Sequence, residues 1–301
     1  MVKWLSSSIL MLSVFSSVAG CSNTAADLVI FSYDRPLQLY AYLESVKKHV
    51  SGLGQTLVLG RASSSVYKKA YGLVAKAFPG VGFFFQDPTA AGKDFKPLLT
   101  RLLTERCRSP YLIFGVDDIV VCDAIDISTC TSRLQQHEAL GFFLRLGKNI
   151  VCSNVTKLEA ERHFQVPKTL QELGDGVCSW RFDERVPMWR YHHSLDMTIY
   201  PAAYAKDAVK RLSFHSPNTL EVAWSREKPA KELGLCFNHS KMVNLPLNLV
   251  QREFDNNNMG ILSAEVLLSM FIAGLKMDVD TLHNYDNNSP HMHYIPSFKP
   301  R

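Results

Sequence analysis

At 301 residues, 47% of them hydrophobic and 20% charged, the chain has a globular composition, which excludes a disordered or fibrous protein. The net charge of +5 and the pI near 8.7 come from Lys and Arg scattered along the sequence, with no basic run of the kind that tracks nucleic-acid phosphates. The length allows one large domain or two small ones.

The first twenty residues read as an export signal: Lys3 gives a positive start, SSSILMLSVFSSVA a short apolar stretch, and Val18-Ala19-Gly20 small residues before Cys21. The apolar stretch is too short for a membrane span, and no later run reaches about 18 apolar residues. The order V-A-G-C also resembles a bacterial lipobox, in which Cys21 would carry the lipid. An exported or membrane-associated protein is therefore expected, with a tether facing the cytoplasm as the alternative. The six other cysteines form no C-x-x-C pair, so structural zinc is not expected, and buried thiols are the simpler reading.

From Asp27 strands and helices alternate. LVIFS (28–32), TLVLG (56–60), VGFFFQ (81–86) and YLIFGV (111–116) are apolar runs of strand length. Helical spacing follows each of the first three: Leu39, Tyr40, Leu43, Val46 and Val50 after Pro36, then Val66, Ala70, Val74 and Ala77, then Leu98, Leu99, Leu102 and Leu103. This alternation predicts an α/β fold, a mainly parallel sheet with helices on both faces. Beyond Asp123 the pattern loosens. GFFLRL (141–146) and LDMTIY (195–200) read as strands, Pro201–Leu212 and Ser263–Met277 as helices, and Tyr285–Arg301 as a loop. One domain over 27–301 is expected, with a regular half at 27–125 and an elaborated half at 126–301.

Ligands of open parallel sheets bind beyond the carboxyl ends of the strands. Those ends carry Tyr33, Asp34 and Arg35, then Arg61, then Asp117 and Asp118. No G-x-G-x-x-G follows the first strand, Gly92-Lys93 precedes Asp94 and not Ser or Thr, and no G-x-S-x-G or H-E-x-x-H occurs, which argues against dinucleotide, P-loop, hydrolase-elbow and zincin chemistry. Two adjacent carboxylates at a buried strand end repel unless a cation is shared, and hard oxygen donors suit Mg²⁺ or Mn²⁺. His192 and His193, adjacent on an expected strand, would point to opposite faces and are read as polar surface.

VIFSYDRPLQLYAYLESV (29–46), the Asp117-Asp118 pair and GFFLRLGKNI (141–150) together resemble metal-dependent glycosyltransferases of the GT-A fold, close to family-2-like bacterial sugar transferases. Looser marks are Gly174-Asp175-Gly176 with Trp180, Leu195-Asp196-Met197-Thr198, and Asn218-Thr219-Leu220-Glu221. The resemblance implies transfer of a sugar from a nucleotide diphosphate donor, a UDP-sugar by preference, to a hydroxyl of a saccharide or lipid-linked acceptor. It assigns 27–125 to the nucleotide and 126–301 to the acceptor. Tyr33, Asp34, Arg35, Arg61, Lys96 and Asp117 would line the nucleotide pocket. Asp118, with His291 or His293, would hold the metal. Glu221, Asp196 and Asp175 are the candidate catalytic bases, in that order, and Trp180 and Trp189 an acceptor platform. The sequence V-D-D-I departs from the strict D-x-D pattern, which leaves the division of work between the two aspartates open. The alternative is an exported non-catalytic lipoprotein that uses the same scaffold to bind saccharides.

Overall fold

The computed structural model describes residues 25–301 except 91, 154–161, 183–185, 252 and 255–257. The expected export signal and Cys21 therefore lie outside the described residues. The alternating first half forms as expected. Strands β1 (Ala26–Tyr33), β2 (Leu53–Arg61), β3 (Val81–Phe85) and β4 (Tyr111–Val116) are joined by helices α1 (Pro36–His49), α2 (Ser65–Ala77) and α3 (Phe95–Glu105). Strand β1 lies between β2 and β4 and is parallel to both, which explains the unbroken apolar run Leu28–Phe31 at its centre: each face carries a helical layer. Leu28 and Ile30 point into the core under α1 and α2, and Val29 and Phe31 into the core under α3.

The second half extends the same sheet. Its strands are β6 (Gly141–Phe143), the hairpin pair β7 (Gln171–Gly174) and β8 (Val177–Arg181), then β9 (Thr198–Pro201) and β10 (Leu233–Phe237). The nine strands run in the order β7-β8-β10-β6-β9-β4-β1-β2-β3. Only β8 and β9 run against the rest, so the sheet is mixed but mostly parallel in direction. Helices α4 (Ile127–Gln136), α5 (Ala202–Arg211), α6 (Pro217–Ser225) and α7 (Ala264–Ile272) complete the layers. A short strand β5 (Ile119–Val121) turns back after the aspartate pair and is held antiparallel by β11 (Met242–Asn244).

Several expectations are corrected in detail. In α2 the buried face is Tyr67, Ala70, Tyr71 and Val74, whereas Val66 is 47% exposed, so the apolar stripe is turned by one residue. The tyrosine bodies bury as well as aliphatics do, and counting only aliphatics misplaces the stripe. The helix expected over 263–277 stops at Ile272, because Gly274 adopts φ +89° and the chain reverses into β12 (Leu275–Met277). The expected terminal loop ends in β13 (Phe298–Pro300), which pairs with β12. Gly115 in β4 leaves room for a ring: a Cβ there would lie 2.2 Å from the Tyr42 hydroxyl oxygen, and this hydroxyl donates to Met197 Sδ at 2.7 Å. Cys107, Cys122, Cys130, Cys178 and Cys236 are buried thiols, as expected. Among the described residues no helix is long and apolar enough to cross a membrane.

Candidate active site at the carboxyl rim of the sheet

The carboxyl ends of β1, β2, β4 and β6 open on one rim, and the antiparallel β9 begins there. That rim collects Tyr33-Asp34-Arg35, Arg61, Asp117-Asp118, Arg145 and the Ser194–Met197 approach to β9.

The cation that reconciles the two aspartates is in the chain itself. Arg35 Nη1 donates to Asp117 Oδ1 at 3.1 Å and to Asp118 Oδ2 at 3.3 Å. The guanidinium is held from behind by Asn248, whose Oδ1 accepts from Nε at 2.9 Å and whose main-chain carbonyl accepts from Nη2. Arg35 is only 8% exposed, so its donors serve the protein; this corrects its expected place as a wall of a nucleotide pocket.

The two acids differ. Asp117 is 4% exposed and saturated: Oδ2 accepts from Ser32 Oγ at 2.8 Å and from the Tyr33 amide at 3.1 Å, and Oδ1 from Arg35. Burial raises its carboxyl, and Arg35, Ser32 and Tyr33 pull it back. An acid with every oxygen engaged inside the fold is an anchor for the β1–β4 ends, which corrects its expected contact with a nucleotide. Asp118 has only the Arg35 contact through Oδ2, while Oδ1 is buried without a partner. Burial pushes it up to about 7, against the pull of Arg35 and with the nearby Asp117 and Asp196 adding to the rise.

Tyr33 and Arg61 end adjacent parallel strands in register, and the guanidinium carbon sits 4.9 Å from the ring centre. Asp34 lies beside them with a left-handed backbone at φ 52°, and its Oδ1 accepts from the Ser63 amide at 2.9 Å. Burial raises this carboxyl too, against the Ser63 bonds and the Arg61 charge. These three residues remain together at the rim. Lys96 does not join them, since its ammonium donates to the Leu212 carbonyl at 2.6 Å and lies over the Phe214 ring.

A second group of acids approaches from the other side. The capping box of Ser216 with Thr219 starts α6 and fixes Glu221 in its second turn. Glu221 Oε1 accepts from the Leu195 amide at 2.8 Å. Burial and the neighbouring Asp196 push its carboxyl up to about 7, while Leu195 and Arg145 pull it down. Asp196 Oδ2 is 4.0 Å from His291 Nε2, and an isolated bridge between Asn244 and His291 ties the terminal segment to β11. His291 keeps Nδ1 buried without a partner, and burial lowers its pKa against the pull of Asp196. Asp118, Asp196, Glu221 and His291 thus form one electrostatically linked cluster. His293 shows no contact with it.

Three further expectations are corrected. Asp175 sits in the exposed turn of the outermost hairpin, paired with Arg133, five strand positions and roughly 24 Å from β4. Trp180 and Trp189 are 1% and 0% exposed and pack edge to face at 5.0 Å, so neither offers a face to a sugar. His193 is wholly buried, stacked on Trp224 at 4.7 Å and hydrogen-bonded to the Trp224 carbonyl and the Tyr204 hydroxyl; burial pushes it down to about 4. The histidine pair belongs to a loop whose two rings lie 4.4 Å apart, so strand alternation does not apply.

Sequence reasoning passed over Arg145, although a lone arginine inside the apolar run GFFLRL was a signal. It also missed Asn248, which gives no signal because its partner Arg35 is 213 positions away in the chain.

No protein-family model matches the chain. A bifunctional glycosyltransferase, pgtA of Dictyostelium discoideum, is 30% identical over 261 residues, which is 76% of this chain and 33% of that protein. The chain therefore spans about a third of the length of that relative. Crystal structures of S. aureus TarS superpose with TM-scores of 0.38 and 0.37 at 11% and 14% identity, covering 71% of this chain and 36% or 60% of theirs, a likeness too low to carry an inference.

Proposed function

We propose that the protein is a glycosyltransferase of the GT-A type, moving a sugar from a nucleotide diphosphate donor, a UDP-sugar by preference, to an acceptor hydroxyl with the help of Mn²⁺ or Mg²⁺. The similarity to pgtA supports sugar transfer as the class of chemistry. The observation that carries the finer reading is the rim cluster, in which Asp118 and Glu221 are both held near neutrality and Asp118 keeps an unpartnered oxygen.

The donors fit a divalent cation in part. Asp118 Oδ1 and His291 Nδ1 are buried polar atoms without partners, and a carboxylate oxygen and an imidazole nitrogen are donor types that a divalent cation accepts. No three His, Cys, Asp or Glu side chains among the described residues lie together for one ion, so the remaining positions would fall to diphosphate oxygens. When bound, the cation would supply charge to the leaving diphosphate. Tyr33 offers a ring and Arg61 a cation for the nucleoside, and Asp34 stands beside both. Glu221 takes the acceptor proton: a carboxylate near pH 7 is basic enough to accept it while still ionised in half the molecules. Burial, with the negative charge of Asp196 added to it, keeps Glu221 basic.

One observation favours a second reading. Arg35 already neutralises Asp118, as in a scaffold that has given up its metal for a non-catalytic saccharide-binding role. Two measurements, UDP release and saccharide binding, separate the readings. Release of UDP from a panel of UDP-sugars is measured with Mn²⁺ and with EDTA; the transferase reading expects metal-dependent release that Asp118→Asn and Glu221→Gln each lower by about 100-fold or more. Metal-independent binding of saccharides with no release from any donor would establish the second reading.

A further inference from the structure

The rim holds one charge for which the reaction above has no role. Arg145 leaves the end of β6 with 2% exposure, yet among the described residues its guanidinium pairs with no carboxylate, and Nε is buried without a partner. A guanidinium in such a place is costly unless its surroundings compensate. Its Nη2 donates to two main-chain carbonyls, of Met188 at 3.2 Å and of Tyr191 at 3.4 Å. The Arg145 carbonyl is itself fixed by Ser240 Oγ at 3.2 Å.

Those carbonyls belong to the loop that delivers the acceptor-side acids. Four residues beyond Tyr191 the Leu195 amide donates to Glu221, and Asp196 follows. The Ser194 amide donates to the Tyr200 hydroxyl at 2.8 Å, so the loop is tied to β9 as well. The charged and titratable groups that act on the Glu221 carboxyl are Asp196 and Tyr191 of the loop, Tyr200 of β9 and Arg145 two residues beyond β6, and of these only Arg145 is positive.

We propose that Arg145 is the positioning residue for the acceptor-side base: its guanidinium pins the 188–195 loop by main-chain carbonyls and supplies the positive field in which Glu221 works. This rests on the transferase reading only for its catalytic consequence. The loop geometry and the field are properties of the folded chain.

The test follows the Glu221 carboxyl directly, by ¹³C NMR of the glutamate-labelled full chain, with Glu221→Gln to assign the signal. Glu221 is expected to titrate near pH 7 in the unaltered protein. Arg145→Met raises that midpoint by about one unit, since a nearby opposite charge favours the ionised form. Arg145→Lys keeps the charge and restores the midpoint, but its single ammonium holds the two carbonyls less well, so amide exchange over 188–195 quickens about tenfold. An unmoved Glu221 midpoint in Arg145→Met, or unaltered loop exchange in Arg145→Lys, overturns the proposal; if the Met variant does not fold, the Lys variant decides alone. In the transfer assay the rising limb of kcat against pH moves with the NMR midpoint while KM changes little. Absence of transfer in the unaltered protein would refute the transferase reading and leave the NMR result to judge Arg145.

Discussion

At Asp117 both carboxylate oxygens are spent on Ser32, Tyr33 and Arg35, whereas Asp118 next to it has a single long contact and an orphaned oxygen. Substitutions at the two positions should therefore act in opposite ways. Asp117→Ala leaves Arg35 half-compensated in the interior and should cost about 3 kcal/mol in denaturant unfolding. Asp118→Asn removes a charge that burial disfavours, and at pH 8 without metal it should raise the melting midpoint by about 2 °C or more. A stability loss at Asp118 as large as that at Asp117 would mean that Asp118 is an anchor as well. The sequence displayed the repulsion between these acids but not what answers it, because Arg35 lies 82 and 83 positions away and is reached only when β1 and β4 pair.

The elements divide by how their burial is shared. Strands β1 to β4 were legible because each holds a continuous apolar run of strand length, LVIF, LVLG, VGFFF and YLIFGV. Strand β8 was not: VCSWR alternates and lies near the sheet edge, and nothing local shows that Trp180 is covered by Phe143, 37 residues away, and by Trp189, which a loop folds back onto it. Helix α6 links element to chemistry, since the Ser216 cap sets where Glu221 stands. Ser216→Ala should cost about 1 kcal/mol in unfolding and lower kcat more than it raises KM. Unchanged turnover with the expected stability loss would separate the cap from the site.

Across the whole molecule, the clustered acids make stability depend on pH. Asp118 and Glu221 have folded values near 7 against ordinary carboxyl values near 4, so between those limits the folded chain binds more protons than the unfolded one. Their contribution is complete below about pH 4 and is lost as pH rises through 7. The buried His193, lowered to about 4, and His291, also lowered, pull the other way below about pH 6.5, so the comparison is with the double variant Asp118→Asn, Glu221→Gln: from pH 5.5 to pH 8 in metal-free buffer the unaltered chain should lose about 2 °C or more of melting midpoint relative to it. An equal pH dependence in both proteins over that range would contradict the assignment. The nine-strand order that assembles this cluster was only half legible: local patterns reveal strands, while the insertion of β9 between β4 and β6 depends on contacts between distant segments.

Thermal unfolding of the full chain with UDP, Mn²⁺, both or neither tests the central claim most directly. The account predicts a rise of roughly 5 °C or more at saturating UDP that requires Mn²⁺ and disappears in Asp118→Asn. An equal rise without metal, or one that survives in Asp118→Asn, would contradict it.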